Sequence, residues 1–481
     1  MQDAKRIARN ISVILFGGTF RAVLTPLFTI LVARKLGATG FGQYSFALAL
    51  AYILLIVGEM GLPKVVVREL AAHREDVGRY IGDLTLFRLL AGLASVGLVY
   101  LVLLVHSSSS DVRLPLFLMG VSFLIFTGLR RFFDSIFQAF EVMKYQALVD
   151  AVDVLITFGA GTALLYNGYG LMGISFAMMA GATISMAMDF IILTRKLGKP
   201  RFSFDLAFWK RMALGALPFG VIGLITFLFG YSDTVLVSLL KGDYDAGLFS
   251  SAHKVIWACA IIPATVMTAV FPFLARIRGS GSERHREVIR KVVKYLACLS
   301  LPFAGLLAFY APQIISMLYG SEYRAAYPAL WVLAAVPVFS FAYLPLIDLL
   351  NAHYKHRLSV IAILSAAAAN LGLCMLLAPW LGFIGAAVST LVAEALLLGM
   401  TLLFAWKHMQ VHPRLLGNWK PLVATMAAAA ACLPLRGGLS PALLMPTFIL
   451  LYAAALLALR TFDGEDVRTL RAFLPLRRGS D

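Results

Sequence analysis

The sequence predicts an all-α integral membrane protein of about fourteen transmembrane helices: two six-helix lobes related by a parallel repeat, then two further helices. Three observations predict it. Of 481 residues, 60% are hydrophobic and only 14% charged, too little polar material to cover a soluble protein of this length. The apolar residues fall in stretches of about 20, the length that crosses a hydrocarbon layer of ~30 Å. Ten-residue alternating segments are absent, which argues against a β-barrel.

The elements follow in order. MQDAKRIARN is basic and runs into the first span without a small-residue cleavage site, so that helix is read as uncleaved. The first lobe, residues 1–194, carries spans at 11–33, 41–63, 84–105, 114–137, 147–166 and 170–194. Residues 195–211 form an inner amphipathic linker. The second lobe, 212–406, carries spans at 212–239, 248–274, 293–312, 325–349, 357–378 and 381–406. Residues 407–481 hold spans at 420–436 and 441–459 and a basic inner tail.

Most of the 42 Lys and Arg fall on one side of these spans. That asymmetry is the positive-inside rule, and it accounts for most of the net charge of +17 without nucleic acid. An even span count puts both basic termini in the cytoplasm. The linkers PKVVVRELAAHREDVGRY, RKLGKPRFSFDLAFWKR and RIRGSGSERHREVIRKVVK mix basic and apolar residues at helical spacing, as surface helices among membrane lipid headgroups do. The Gly/Ser part at 279–282 reads instead as a solvated linker. Cys259, Cys298, Cys374 and Cys432 lie in or beside apolar spans with no CxxC spacing, so they read as small buried residues. No motif asks for a metal or a cofactor.

An internal repeat gives the lobes. At an offset of 205, Thr29-Ile-Leu-Val matches Thr234-Val-Leu-Val, and Gly42, Tyr44 and Ser45 match Gly247, Phe249 and Ser250. At an offset of 212, Gly170-Leu-Met-Gly173 matches Gly382-Phe-Ile-Gly385. Six spans per copy is even, so the repeat is parallel, with a cavity expected between two bundles and alternating access as the natural mechanism.

ARKLGATGFGQYSFALA followed by GEMGLPKVVVRELA resembles the opening of Wzx-type polysaccharide flippases. Those belong to the superfamily that also holds lipid II flippases and MATE drug exporters. FQAFEVMKYQALVD resembles the family's inner connection between spans four and five, and GLFSSAHKV its start of span eight. The resemblance covers most of the first twelve spans. It implies a multi-pass protein of a prokaryotic cell membrane that carries a polyprenyl-diphosphate-linked glycan from the inner to the outer leaflet, beside glycan polymerase or other assembly partners.

An ionisable group at mid-bilayer carries an insertion cost of ~2.5–3.5 kcal/mol, so each needs a reason. Arg21 lies near the middle of span one, in GGTFRAVLTP, too deep to snorkel. It either faces a wet cavity and binds an anion, or pairs with an acidic neighbour. Pro26 is placed to bend that helix. Lys254 lies in span eight, at a position resembling that of a cavity arginine in lipid II flippases. Asp233 in span seven is about as far from the hairpin centre as Lys254, so substrate contact, an Asp233–Lys254 pair and snorkelling all stay open for Lys254. Arg88, near the inner start of span three, either snorkels or meets an arriving diphosphate. Arg130 and Arg131 read as headgroup anchors, and His253 as a packed residue. Glu59 and Asp153 are the acids to test for coupling to H+ or Na+, with Asp233 as a further coupling or ion-pair residue.

Cations suit an anionic cargo, because a diphosphate cannot cross hydrocarbon unpaired. Arg21, Lys254 and Arg88 are therefore the candidate substrate-binding cations. The alternatives are a MATE-like cation-coupled drug exporter, whose cavity would be lined by carboxylates, and a membrane glycan polymerase or glycosyltransferase. The outer loops are too short to house catalysis and no GxxxxGK[ST] is present, which argues against an enzyme.

Overall fold

The computed structural model describes residues 2–106, 110–276, 282–412, 419–437 and 441–461; at 2–20, 110, 269, 272, 275, 282–286 and 441–442 only the backbone is described. All described elements are helical: α1 (Gln2–Glu59), α2 (Leu62–Ala72), α3 (Val77–His106), α4 (Ser110–Val121), α5 (Gly128–Ala139), α6 (Lys144–Tyr166), α7 (Gly170–Lys196), α8 (Leu206–Lys241), α9 (Asp243–Arg276), α10 (Ser282–Phe309), α11 (Ala311–Tyr319), α12 (Tyr327–Leu333), α13 (Val336–Ala352), α14 (His356–Leu381), α15 (Phe383–Met409), α16 (Lys420–Cys432) and α17 (Pro441–Ala458). Ten are long and apolar enough to cross a bilayer, eleven if Ser321–Leu333 and Val336–Ala352, bent by 44°, make one span. α16 and α17 are shorter apolar helices. At 1.5 Å per residue, the 13 residues of α16 reach only about 20 Å.

The chain forms two compact units. The first comprises Met1–Ser251, Leu318–Tyr323 and Ala367–Ala386. The first two expected spans are not separated by a loop. They are two halves of α1, broken only at Gly37, whose φ of 70° and ψ of 179° suit glycine and no other residue. Leu318–Tyr323 fastens that break. Ala38 N–H donates to Glu322 Oε1 (3.0 Å), Arg34 Nε to the Leu318 carbonyl (2.8 Å), and the buried Tyr323 hydroxyl to the Ala33 carbonyl (2.9 Å). Ala38 opens the second half-helix, so Glu322 acts as its cap from 284 residues away. The fourth span is interrupted between α4 and α5 by a π-helical turn, Ser122–Thr127.

Two linkers differ from expectation. α2 is a helix, but its apolar face does not meet lipid: Leu62, Val65, Val66 and Leu70 are buried against Tyr80, Phe132, Phe133, Ile136 and Met212. Burying each such side chain gains about 1.5–3 kcal/mol, so protein packing holds α2. Residues 198–205 carry no helix. They strap onto α3: Arg201 N–H donates to the Gly78 carbonyl (2.7 Å), and the buried Asp83 accepts from the backbone N–H groups of Ser203 (2.6 Å) and Phe204 (3.2 Å) and from the Ser203 hydroxyl. Asp205 then caps α8, accepting from Phe208 N–H (3.0 Å), and Arg79 pairs with it. In a helix those N–H groups would donate to carbonyls one turn earlier; here the carboxylate of Asp83 collects them.

The second unit comprises Ala252–Met317, Arg324–Ala366 and Ala387–Asp481. Met267, Leu274, Ile289, Val293, Leu346, Leu349 and Ala405 form its core. Tyr452 donates to the Cys298 carbonyl (2.7 Å), fixing α17 on α10, and Tyr343 hydrogen-bonds Glu394. All four cysteines are buried thiols.

Candidate functional site

The charged residues of the first unit converge where α5 and α6 meet. The turn at 140–143 leads from α5 into α6, and Arg130 and Asp153 lie equally far from its centre. Asp150 and Asp153, one helical turn apart on α6, face Arg130 on α5. Arg130 Nη1 lies 2.5 Å from Asp150 Oδ1, and Nη2 3.8 Å from Asp153 Oδ2. Arg21 Nη1 reaches the same Asp150 oxygen from α1, at 3.2 Å. The next arginine turns the other way: Arg131 Nε lies 2.7 Å and Nη2 3.5 Å from the two oxygens of Glu59, which is buried.

Burial separates these cations. The Arg130 side chain is 2% exposed and holds two carboxylates, with Asp134 one turn further along α5 also in its field. Removing one partner of such a buried set costs about 3–5 kcal/mol, so Arg130 is the hub of the arrangement. It is no headgroup anchor: its side chain is buried, and Asp134, Asp150 and Asp153 meet its charge. Arg131 is likewise committed to Glu59. Arg21 is 47% exposed, and an exposed pair is worth about 0–1 kcal/mol. Of the two arginines on Asp150, Arg21 is the more open and makes the longer contact. Arg21 and Asp153 also line a cavity of about 130 Å³ with Tyr44, Tyr52, Ser122 and Thr157. Arg21 thus both lines a cavity and has an acidic neighbour in Asp150.

Arg88 lies elsewhere than either expectation. It is 2% exposed, its guanidinium packed where a Cβ at Gly128 would come within 2.6 Å of Nη2 and one at Gly58 within 3.4 Å of Nη1. The two glycines make room for it inside the bundle. It neither snorkels nor presents a surface to a ligand in this conformation. Asp233 is buried, and both its carboxylate oxygens accept from Asn370 Nδ2 at 2.9 Å. Lys254 is half-buried in the second unit, and the neighbouring His253 packs edge-on against Trp257, 6.1 Å between centroids. Asp189, on α7, is fully buried beside the Arg130 cluster with neither carboxylate oxygen hydrogen-bonded within the protein.

Sequence reasoning missed Arg130 as the hub and Asn370 as a partner. The equal distance of Arg130 and Asp153 from their turn was a usable signal. Asn370 was visible as the one amide in AAAANLGL.

A profile of the family described as polysaccharide biosynthesis protein matches residues 7–278. A Shigella flexneri protein named as an O-antigen transporter is 23% identical over 304 residues, 61% of this chain and 72% of that protein. A Haloferax volcanii protein named as a low-salt glycan biosynthesis flippase is 23% identical over 399 residues, 81% of each. In fold, the chain is similar to lipid II flippase MurJ in an inward closed conformation, with a TM-score of 0.75 at 15% identity, covering 96% of this chain and 99% of that one. It is also similar to an inward-facing MATE multidrug transporter, with a TM-score of 0.64 at 12% identity over 81% and 94%.

Proposed function

Because the chain belongs to the polysaccharide biosynthesis protein family, we propose that it flips a polyprenyl-diphosphate-linked oligosaccharide from the inner to the outer leaflet of a prokaryotic cell membrane, for cell-surface glycan assembly. It is a multi-pass membrane transporter of the Wzx type and not an enzyme. The observation that carries the cargo is the loosely paired Arg21, a mid-span cation on a cavity wall. An arginine fork matches phosphate oxygens two at a time, and charge-assisted hydrogen bonds replace the water a diphosphate loses. Lys254, in the second unit, is a further candidate cation for the cargo, and Arg88, being buried, adds to the positive field of the first unit without contact.

The end of the first unit that carries Lys64, Arg68, Arg79, Lys144, Arg195 and Lys210 faces the cytoplasm in this reading, with both termini on that side. An inside-negative potential then favours outward movement of the anion by ~2.3 kcal/mol per charge per 100 mV. H+ or Na+ coupling would act through the buried carboxylates, with Asp153, Glu59 and Asp233 the residues to neutralise. Likeness to the MATE transporter is one of fold, and the arginine-rich site favours an anionic cargo over a cationic drug. The test is a deletion strain: lipid-linked glycan should accumulate on the cytoplasmic leaflet and disappear on complementation. An unchanged glycan distribution with a gain in drug sensitivity would overturn the reading.

A further inference from the structure

A second polar cavity lies at the basic end of the first unit, outside the Arg21 site. It has a volume of about 240 Å³, the scale of one hexose ring, and three elements build it. α2 contributes Pro63, Lys64 and Val67. α5 contributes Arg131, Asp134, Ser135 and Gln138, spaced so that they share one helix face. α6 contributes Gln146. Asp134 is 6% exposed, and its Oδ1 is buried with no hydrogen-bond donor from the protein. Asp134 thus gives the wall of this cavity a carboxylate charge.

The lining selects the ligand's chemistry. A sugar ring has hydroxyl edges that donate and accept, and C–H faces that are apolar. Gln138 and Gln146 each offer a donor and an acceptor, and Pro63 and Val67 give an apolar wall. A free inorganic anion would be repelled by Asp134. Beside these groups stands the exposed Lys64, and the Arg131 charge is already met by Glu59. A ring attached to a phosphate fits both features, with the ring among the amides and the phosphate near Lys64.

We propose that this cavity is the docking site for the first sugar of the glycan lipid, the ring joined to the diphosphate, before the headgroup moves to Arg21. The proposal rests on the flippase reading and deepens it by naming the part of the substrate that is read. Gln138 and Gln146 are then specificity-determining residues, and neither is buried, so replacing them leaves the fold intact.

The experiment measures equilibrium binding to the full chain in nanodiscs, independently of flipping. The probes are polyprenyl diphosphates carrying one N-acetylhexosamine, one hexose, or no sugar. Wild type should prefer at least one sugar-bearing lipid by about tenfold over the sugar-free lipid, and Gln138→Leu with Gln146→Leu should abolish that preference while sugar-free binding is unchanged. Lys64→Gln should weaken all three probes alike. No preference in wild type, or the same preference in the double variant, overturns the docking site. Flipping of the same lipids in vesicles is read separately: its loss in wild type would count against the flippase reading and leave the binding result to decide the subsite.

Discussion

Gly42 and Gly247 meet reciprocally. A Cβ on Gly42 would fall on the Asp243 carbonyl oxygen, and a Cβ on Gly247 would fall on the Ala38 carbonyl oxygen. Each glycine thus faces the carbonyl four residues before the other, and the sequence repeat at an offset of 205 equates just these positions. Because backbone cannot yield as a side chain can, Gly42→Ala or Gly247→Ala should destabilise the protein by about 1–3 kcal/mol. Thermal unfolding in detergent should show either variant melting below wild type; an unchanged midpoint would show that the helices separate freely at this point.

The cap on the broken helix is next. Glu322 accepts from Ala38 N–H at the Gly37 break, and a Cβ at Gly37 would come within 2.7 Å of its Oε1. Glu322→Ala should cost about 1 kcal/mol, localised to the start of the second half of α1. Hydrogen exchange should quicken at the amides of 38–42 and not in α6. Uniform acceleration along the chain would contradict a local cap.

Arg130 and its acids should show the asymmetry of buried pairs. Arg130→Leu alone leaves Asp150 and Asp153 without their main cation and should cost about 3–5 kcal/mol. Adding Asp150→Leu to it should recover part of that loss, because one of the stranded charges is removed as well. The double-mutant cycle, read by unfolding midpoints, decides. Additive losses would mean that the pair is not coupled.

Acid should loosen the start of α8. The hydrogen bond from Phe208 N–H holds the Asp205 carboxyl below its ordinary range, with help from Arg79. A lowered carboxyl contributes stability fully present above the unfolded value of about 3.9, and lost as pH falls through the lowered folded value. Amide exchange at Phe208 should therefore rise below about pH 4 in wild type, once corrected for intrinsic rates, and far less in Asp205→Asn, which keeps a neutral cap. Equal pH dependence in both would remove Asp205 as the cause.

Much of the fold was legible because bilayer length and apolar runs fix where helices lie. Composition could not show that Gly37 breaks α1 without a loop, since the break depends on Glu322 arriving from a distant segment. The linker at 198–205 read as amphipathic because its basic and apolar residues recur at helical spacing, yet Asp83 offered its backbone donors a better partner. At the site, depth was readable and direction was not. Arg88, Arg130 and Glu59 all sit where a side chain turning toward lipid headgroups and one turning inward leave the same trace in sequence. Gly58 and Gly128, which make room for Arg88, were visible only as small residues.

The proposed roles of Arg21 and of Lys254 as cations for a diphosphate cargo can be tested together. The direct measurement is outward flipping of a fluorescent glycan-bearing polyprenyl diphosphate in vesicles containing Arg21→Ala/Lys254→Ala protein, inserted and folded as wild type. Loss of two charge-assisted contacts should slow flipping by about 100-fold or more, to the rate of protein-free vesicles. Flipping at the wild-type rate by the double variant would contradict the account.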